Sequence, residues 1–239
     1  MASRRAAAPS PNADLHGNVA HRSRVVLLLV DVINDMEFPE GRQALPHALK
    51  MARAVKRLKA RAREAGVPTV YANDNFGIWK SDFRGVVDHC LDDGVLGAPL
   101  AEMLAPDDDD YFVLKPKHSA FYCTSLDILL EYLGARCLII AGLAGNICVL
   151  FTANNAYLRD YRVVVPRDCC ASNTADENRH ALAQMKKVLK ADTGPSARLD
   201  LGALARGDFT SLDGARGGAR ATRSRAPRAR SPRAGRSSR

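Results

Sequence analysis

Leu138 to Tyr157 reads L-I-I-A-G-L-A-G-N-I-C-V-L-F-T-A-N-N-A-Y. The apolar run Leu138–Ala141 is short and bounded by Gly142, the pattern of a buried strand. Gly142-Leu143-Ala144-Gly145-Asn146 then makes a tight turn with little side-chain bulk. From about Ile147 the chain suits a helix, with Val149, Ala153 and Ala156 on one face. Cys148 falls in that helix's first turn, where free N–H groups and the positive dipole end favour a thiolate. Two readings of Cys148 stand side by side: a nucleophile, or a small packed hydrophobe, the commoner fate of a free cysteine.

The same strand-then-turn pattern recurs on both sides. Val25–Val30 is continuously apolar and β-branched-rich, which suits a strand buried on both faces of a parallel sheet. Asp31 follows it, either as a turn former or as a ligand-side group at a strand's carboxyl end. Glu37–Gly41 reads as a loop. Ala48, Met51, Val55, Leu58 and Ala62 then mark one helix face, with Lys50, Arg53, Lys56, Arg57 and Lys59 read as solvated and Gly66 as the stop. Thr69–Ala72 is a second strand, and Asn73 to Trp79 lies beyond its end. Residues 80–110 show weak periodicity, and the acids Asp107–Asp110 are expected to repel one another into solvent rather than to hold a metal. Tyr111–Leu114 is a third strand, ending at Lys115. Thr124 and Asp127 form a weak capping box before a helix marked by Leu126, Leu129, Leu130 and Leu133 and closed by Gly134. Cys137–Ala141 and Arg162–Pro166 are the fourth and fifth strands. Thr174 and Glu177 cap a last helix with Leu182, Met185, Val188 and Leu189 on one face, and Ala197–Leu201 is a short final strand. Strands alternating with helices predict a three-layer α/β/α sandwich with a mostly parallel, Rossmann-like central sheet. Its crossovers bring Asp31, Lys115 and Cys148 to one sheet edge.

Composition bounds the rest. The chain has 239 residues, 46% hydrophobic and 26% charged, ordinary for a soluble domain. No apolar run approaches the roughly 20 residues of a membrane span, and Met1–Arg24 lacks a signal peptide's apolar centre. Cysteines 90, 123, 137, 148, 169 and 170 include no C-x-x-C pair, so a reduced, cytoplasmic setting is expected and Cys169-Cys170 is read as packing. Ten arginines from Ala203 onward face only Asp208 and Asp213, so +8 of the +9 net charge belongs to the tail. The expected organisation is a disordered segment 1–23, an α/β domain 24–203 and a disordered Arg/Ser/Gly-rich tail 204–239.

One acid, one lysine and one cysteine at three strand ends form a candidate nucleophilic site. Lys115 is the cation, with Lys117 as its rival. Asp31 takes the thiol proton, gives it to a departing amine and then activates water. Backbone N–H groups at Ala144 and Cys148 hold the oxyanion. Four segments carry a resemblance: L-L-L-V-D-V-I-N-D at 27–35, K-P-K-H-S-A-F at 115–121, G-L-A-G-N-I-C-V at 142–149 and V-V-V-P-R-D-C-C-A-S at 163–172. In this order the chain resembles the isochorismatase-like cysteine hydrolases, over roughly residues 25–200. That resemblance implies a catalytic triad of Asp31, Lys115 and Cys148, a non-proline cis peptide between Leu143 and Ala144, and a homo-oligomer. It departs from the family at Gly145, where Thr is frequent. It also lacks the D-x-H metal motif of nicotinamidases, because the stretch here reads N-D-N-F-G-I-W. No metal site and no cofactor are expected.

The cysteine, absent from isochorismatases that act on a vinyl ether, points to a metal-independent hydrolase of a small amide or ureido C–N bond working through a thioester. Phe38, Asn73, Trp79 and Phe121 are the candidate substrate-binding residues, with core packing the alternative for the aromatics; Phe76 and Asn75 are further candidates. His118 is read as a structural loop residue. The expected partner is a small-molecule amide or ureide, with no membrane. The competing readings are an isochorismatase-type hydrolase of another small-molecule bond, and a scaffold whose basic tail makes weak, nonspecific, salt-sensitive contact with nucleic acid.

Overall fold

In the computed structural model, which describes residues 22–75, 77 and 82–213, the apolar run Val25–Val30 forms β1 with no side chain reaching solvent. Four more strands join it: β2 Thr69–Asp74, β3 Tyr111–Lys115, β4 Cys137–Gly142 and β5 Arg162–Val164. All pair in parallel, in the order β3-β2-β1-β4-β5. Helices cover both faces, so each strand alternates between two apolar layers, as in Leu27 and Leu29 on one side and Val26 and Leu28 on the other. One layer holds α1 Gly41–Glu64, α2 Phe83–Asp92, α3 Ala98–Met103 and α7 Leu201–Ala205. The other holds α4 Leu126–Leu133, α5 Leu150–Leu158 and α6 Ala175–Val188. This is the expected three-layer α/β/α sandwich. No helix among the described residues is long and apolar enough to cross a membrane.

The chain runs outward from β1 to β2 and β3, then returns to β1's other side as β4. The order reverses between β1 and β4. In open α/β sheets, ligands bind beyond the strands' carboxyl ends at such a switch point. Register fixes what meets there: Val30 lies beside both Ala72 and Gly142, and Asp74 beside Lys115.

Several local readings change. α1 begins at Gly41 rather than near Ala48, with Pro46 inside it, a residue that ordinarily breaks a helical pattern. Lys59 is buried rather than solvated, because Asp107 and Asp110 lie 3.0 and 2.6 Å from its Nζ. Asp107, Asp108 and Asp109 are exposed, as expected, while Lys59 and Arg63 hold Asp107, Asp109 and Asp110 together. Residues 83–103, which looked aperiodic, carry two short helices. The Thr124–Asp127 capping box does not form; Thr124 Oγ1 accepts from Leu126 N–H and donates to the Ala120 carbonyl. The Thr174–Glu177 box does form. On α6, Ala181 joins Met185 in the core while Val188 is exposed. The expected strand Ala197–Leu201 is a 3₁₀ turn at Ser196–Arg198 leading into α7.

The packed body also reaches past residue 203, since Leu204 is fully buried and Leu212 nearly so. The segments 1–21 and 214–239, including most of the basic tail, lie outside the described residues. Leu204→Ala should therefore cost about 2–5 kcal/mol of stability in urea unfolding. A loss within about 0.5 kcal/mol would return this segment to the status of an appendage.

Candidate active site

Each group at the switch point is placed by a strand end. Asp31 leaves β1 with φ 50°, in the left-handed region that Asp tolerates better than most side chains. Its Oδ1 accepts the Asp74 N–H at 2.8 Å, tying β1's end to β2's. Lys115 ends β3 with its side chain wholly buried, while the rival Lys117 is exposed. Its Nζ lies 2.9 Å from Asp31 Oδ2, 3.4 Å from Asp74 Oδ2 and 3.6 Å from Cys148 Sγ.

Cys148 is brought there by the turn after β4. Gly142 has φ 124°, and a Cβ on it would stand 2.0 Å from the Val30 carbonyl oxygen, so the two strands close up only around glycine. The Leu143–Ala144 peptide is cis. The expected helix start is instead a π-helical turn, Gly145–Val149, closed by the Val149 N–H on the Ala144 carbonyl at 3.1 Å. Such turns recur at functional sites. The turn leans on the segment after β5. Gly145 N–H donates to the Ala171 carbonyl at 2.6 Å and Asn146 N–H to Ser172 Oγ at 3.2 Å. Ser172 donates on to Asn178 Oδ1 at 3.3 Å.

The electrostatics revise one expectation. Burial, reinforced by the Asp31 charge, pushes the Cys148 thiol up to about 12 despite Lys115 beside it. The direction favours the thiol over the standing thiolate that a helix N-terminus and a cation suggested. Burial also raises Asp31 against the opposing pull of Lys115. For Lys115 burial favours the neutral amine, yet Asp31, Cys148 and Asp74 outweigh it and the pKa rises. The Asp31–Lys115 contact thus lies beside a sulfur that burial pushes toward its neutral form.

The remaining candidates fall in different places. Phe38 is half-buried against the α1-side core. Phe121 belongs to the opposite core, with the Arg159 guanidinium 4.6 Å from its ring centre. Asn73 is fully buried and donates to the Ile33 carbonyl, while its Oδ1 has no hydrogen-bond partner among the described residues. Trp79 and Phe76 lie outside the described residues. Of two groups beside the reacting atoms, Asp74 was not singled out from sequence and His118 was read as a structural loop residue. Asp74 became visible only when β2 proved two residues longer than its apolar run. His118 sits with Nδ1 3.8 Å from Cys148 Sγ, and the only signal for it was its place in K-P-K-H-S-A-F.

At the end of β2, Asn73 Nδ2 donates to the Ile33 carbonyl and Asp74 faces Lys115, and just beyond it Asn75 Oδ1 accepts the Gly77 N–H. Among the described residues the acids Asp107, Asp109 and Asp110 do cluster, but around Lys59 and Arg63.

If Asp31's charge holds the sulfur protonated, Asp31→Asn should speed iodoacetamide labelling of Cys148 several-fold, read by peptide mass spectrometry. In the wild type at neutral pH the exposed Cys123 should label before Cys148, the reverse of the order a standing thiolate would give.

Comparison with known proteins gives the family. The Isochorismatase domain family matches residues 25–193. An uncharacterized isochorismatase family protein of Bacillus subtilis, YaaI, is 44% identical over 166 residues, 70% of this chain and 91% of that protein. The crystal structure of N-carbamoylsarcosine amidase from Thermoplasma acidophilum superposes with a TM-score of 0.59 at 29% identity, over 74% of this chain and 99% of that one. Nicotinamidase PncA from Bacillus subtilis superposes at 0.56 and 25%, over 72% and 99%. The chain belongs to the isochorismatase family and is a hydrolytic enzyme.

Proposed function

We propose that the protein hydrolyses a small amide or ureide C–N bond through a thioester on Cys148, without a metal. The observation that carries this reading is one sulfur within 3.6 Å of an ammonium that is itself 2.9 Å from a carboxylate, at the sheet's switch point. The similar structures named for a ureide and an amide substrate support the bond type.

A resting thiol sets the order of events. Asp31 takes the proton as sulfur attacks the carbonyl carbon, so the thiolate exists only while the C–S bond forms. The Lys115 ammonium offsets the negative charge during transfer. The N–H groups of Ala144 and Cys148 take the oxyanion, since the turn before the nucleophile carries little side-chain bulk. Collapse breaks the C–N bond, and Asp31 hands its proton to the departing amine. Water then releases the acid. The exposed apolar side chains Ile147, Phe151 and Leu158, on the π turn and α5, supply a surface for a homo-oligomer in the cytoplasm; a monomer mass by light scattering would remove that part.

Cys148→Ala should lower ammonia release from an amide and ureide panel by more than about 10³-fold. Undiminished release would end the proposal. Asp31 must be ionised to accept the proton, and burial raises its pKa. The value of kcat/KM should therefore fall as pH drops through a point above the ordinary carboxylate value. A profile flat down to about pH 4 would exclude Asp31 as the base.

A further inference from the structure

The sulfur of Cys148 has an acid–base group on each of two sides. On the closed side Asp31 is 5% exposed with both oxygens engaged, Oδ1 by the Asp74 N–H and Oδ2 by Lys115. On the open side stands His118, an exposed residue with Nδ1 3.8 Å from Sγ. It is not a loosely hanging side chain. Its ring lies against Phe151, centroids 5.5 Å apart. Its loop is pinned to α5 by the Ala120 N–H on Thr152 Oγ1 at 3.0 Å, both groups buried.

We propose that His118 is the acid–base residue of the second half-reaction: it takes a proton from the water that attacks the Cys148 thioester and returns it to the departing sulfur. This rests on the thioester reading above. When acylation ends, Asp31 has passed the thiol's proton to the amine and is a carboxylate again. A water oxygen then bonds to the acyl carbon, and its proton moves to His118 Nδ1. The tetrahedral intermediate collapses, the C–S bond breaks, and its electron pair leaves on sulfur. The imidazolium gives its proton to that sulfur, so thiol and neutral imidazole are restored and the acyl group departs as the acid.

Two features favour His118 over Asp31 here. Water arrives from solvent, where His118 is exposed and Asp31 is not. The sulfur also has to leave beside a recharged Asp31 in a buried setting that opposes a thiolate, so it needs a proton delivered at close range.

The test uses 4-nitrophenyl acetate, whose nitrophenolate needs no proton to leave. Stopped-flow absorbance reads the first equivalent released, which is acylation, and the later steady rate. His118→Ala and His118→Asn should release the first equivalent at close to the wild-type rate. They should then turn over about 10²-fold more slowly, with acetyl-Cys148 persisting in the mass spectrum. An unchanged steady rate, or a first equivalent slowed as much as turnover, overturns the proposal. Cys148→Ala separates the two levels of argument. If it releases nitrophenolate as the wild type does, the thioester reading itself fails, and this one with it.

Discussion

The ammonium of Lys115 is removed from water altogether, and the arrangement around it governs the rest of the site. An ion buried without partners costs on the order of several kcal/mol. Here the charge is met by Asp31 at 2.9 Å, by Asp74 at 3.4 Å and by the sulfur of Cys148 at 3.6 Å. Those partners come from β1's end, β2's end and the turn after β4, so the ion pair ties three chain segments to the end of β3. It also bears on the sulfur. A cation next to a cysteine usually stabilises the thiolate, but this one is already neutralised by a carboxylate that also faces the sulfur. In the proposed mechanism this leaves a thiol with a base beside it, so that proton loss is coupled to attack.

That cluster depends on register more than on any single contact. Val30 pairs with Gly142 and Ala72, and Asp74 pairs with Lys115. A one-residue slip in any of these strands turns its last side chain to the opposite face of the sheet. The strands hold register because both faces are buried and every position from Val25 to Val30 is in the core. The reversal of strand order between β1 and β4 then opens the crevice in which Asp31 and Cys148 meet.

Much of this was legible in the chain. Continuous apolar runs located β1 and β4 to within a residue, and glycine stops located the ends of α1 and α4. Asp31, Lys115 and Cys148 could be read as strand-end residues because a parallel sheet puts all such ends on one edge. What failed to show has physical reasons too. Asp74 lies where β2 continues through polar residues, so an apolar-run criterion ends the strand early. Lys59 looks solvated on a helical wheel, yet acids some 50 positions later in the chain draw it inside. Thr124 and Asp127 have capping-box spacing, but Thr124 bonds back to Ala120 instead. The elevated thiol pKa is a property of burial and of a neighbour distant in sequence, and neither is encoded in the local helix-start pattern.

Gly145 shows how a departure from the family pattern becomes intelligible in three dimensions. Related chains frequently carry Thr here. In this structure a Cβ at 145 would stand 2.3 Å from Asn178 Oδ1 and 2.9 Å from Ser172 Oγ. The volume a threonine would fill is already taken by Asn178, which also donates to the Cys170 carbonyl at 3.0 Å. Ser172, which donates to Asn178, accepts the Asn146 N–H, so the turn is braced from α6 rather than by a side chain at 145. Glycine and asparagine are thus one steric choice made at two positions. Because the brace ends two residues before Cys148, it acts on the direction of the nucleophile's turn and leaves the sulfur's own neighbours, Lys115 and His118, untouched.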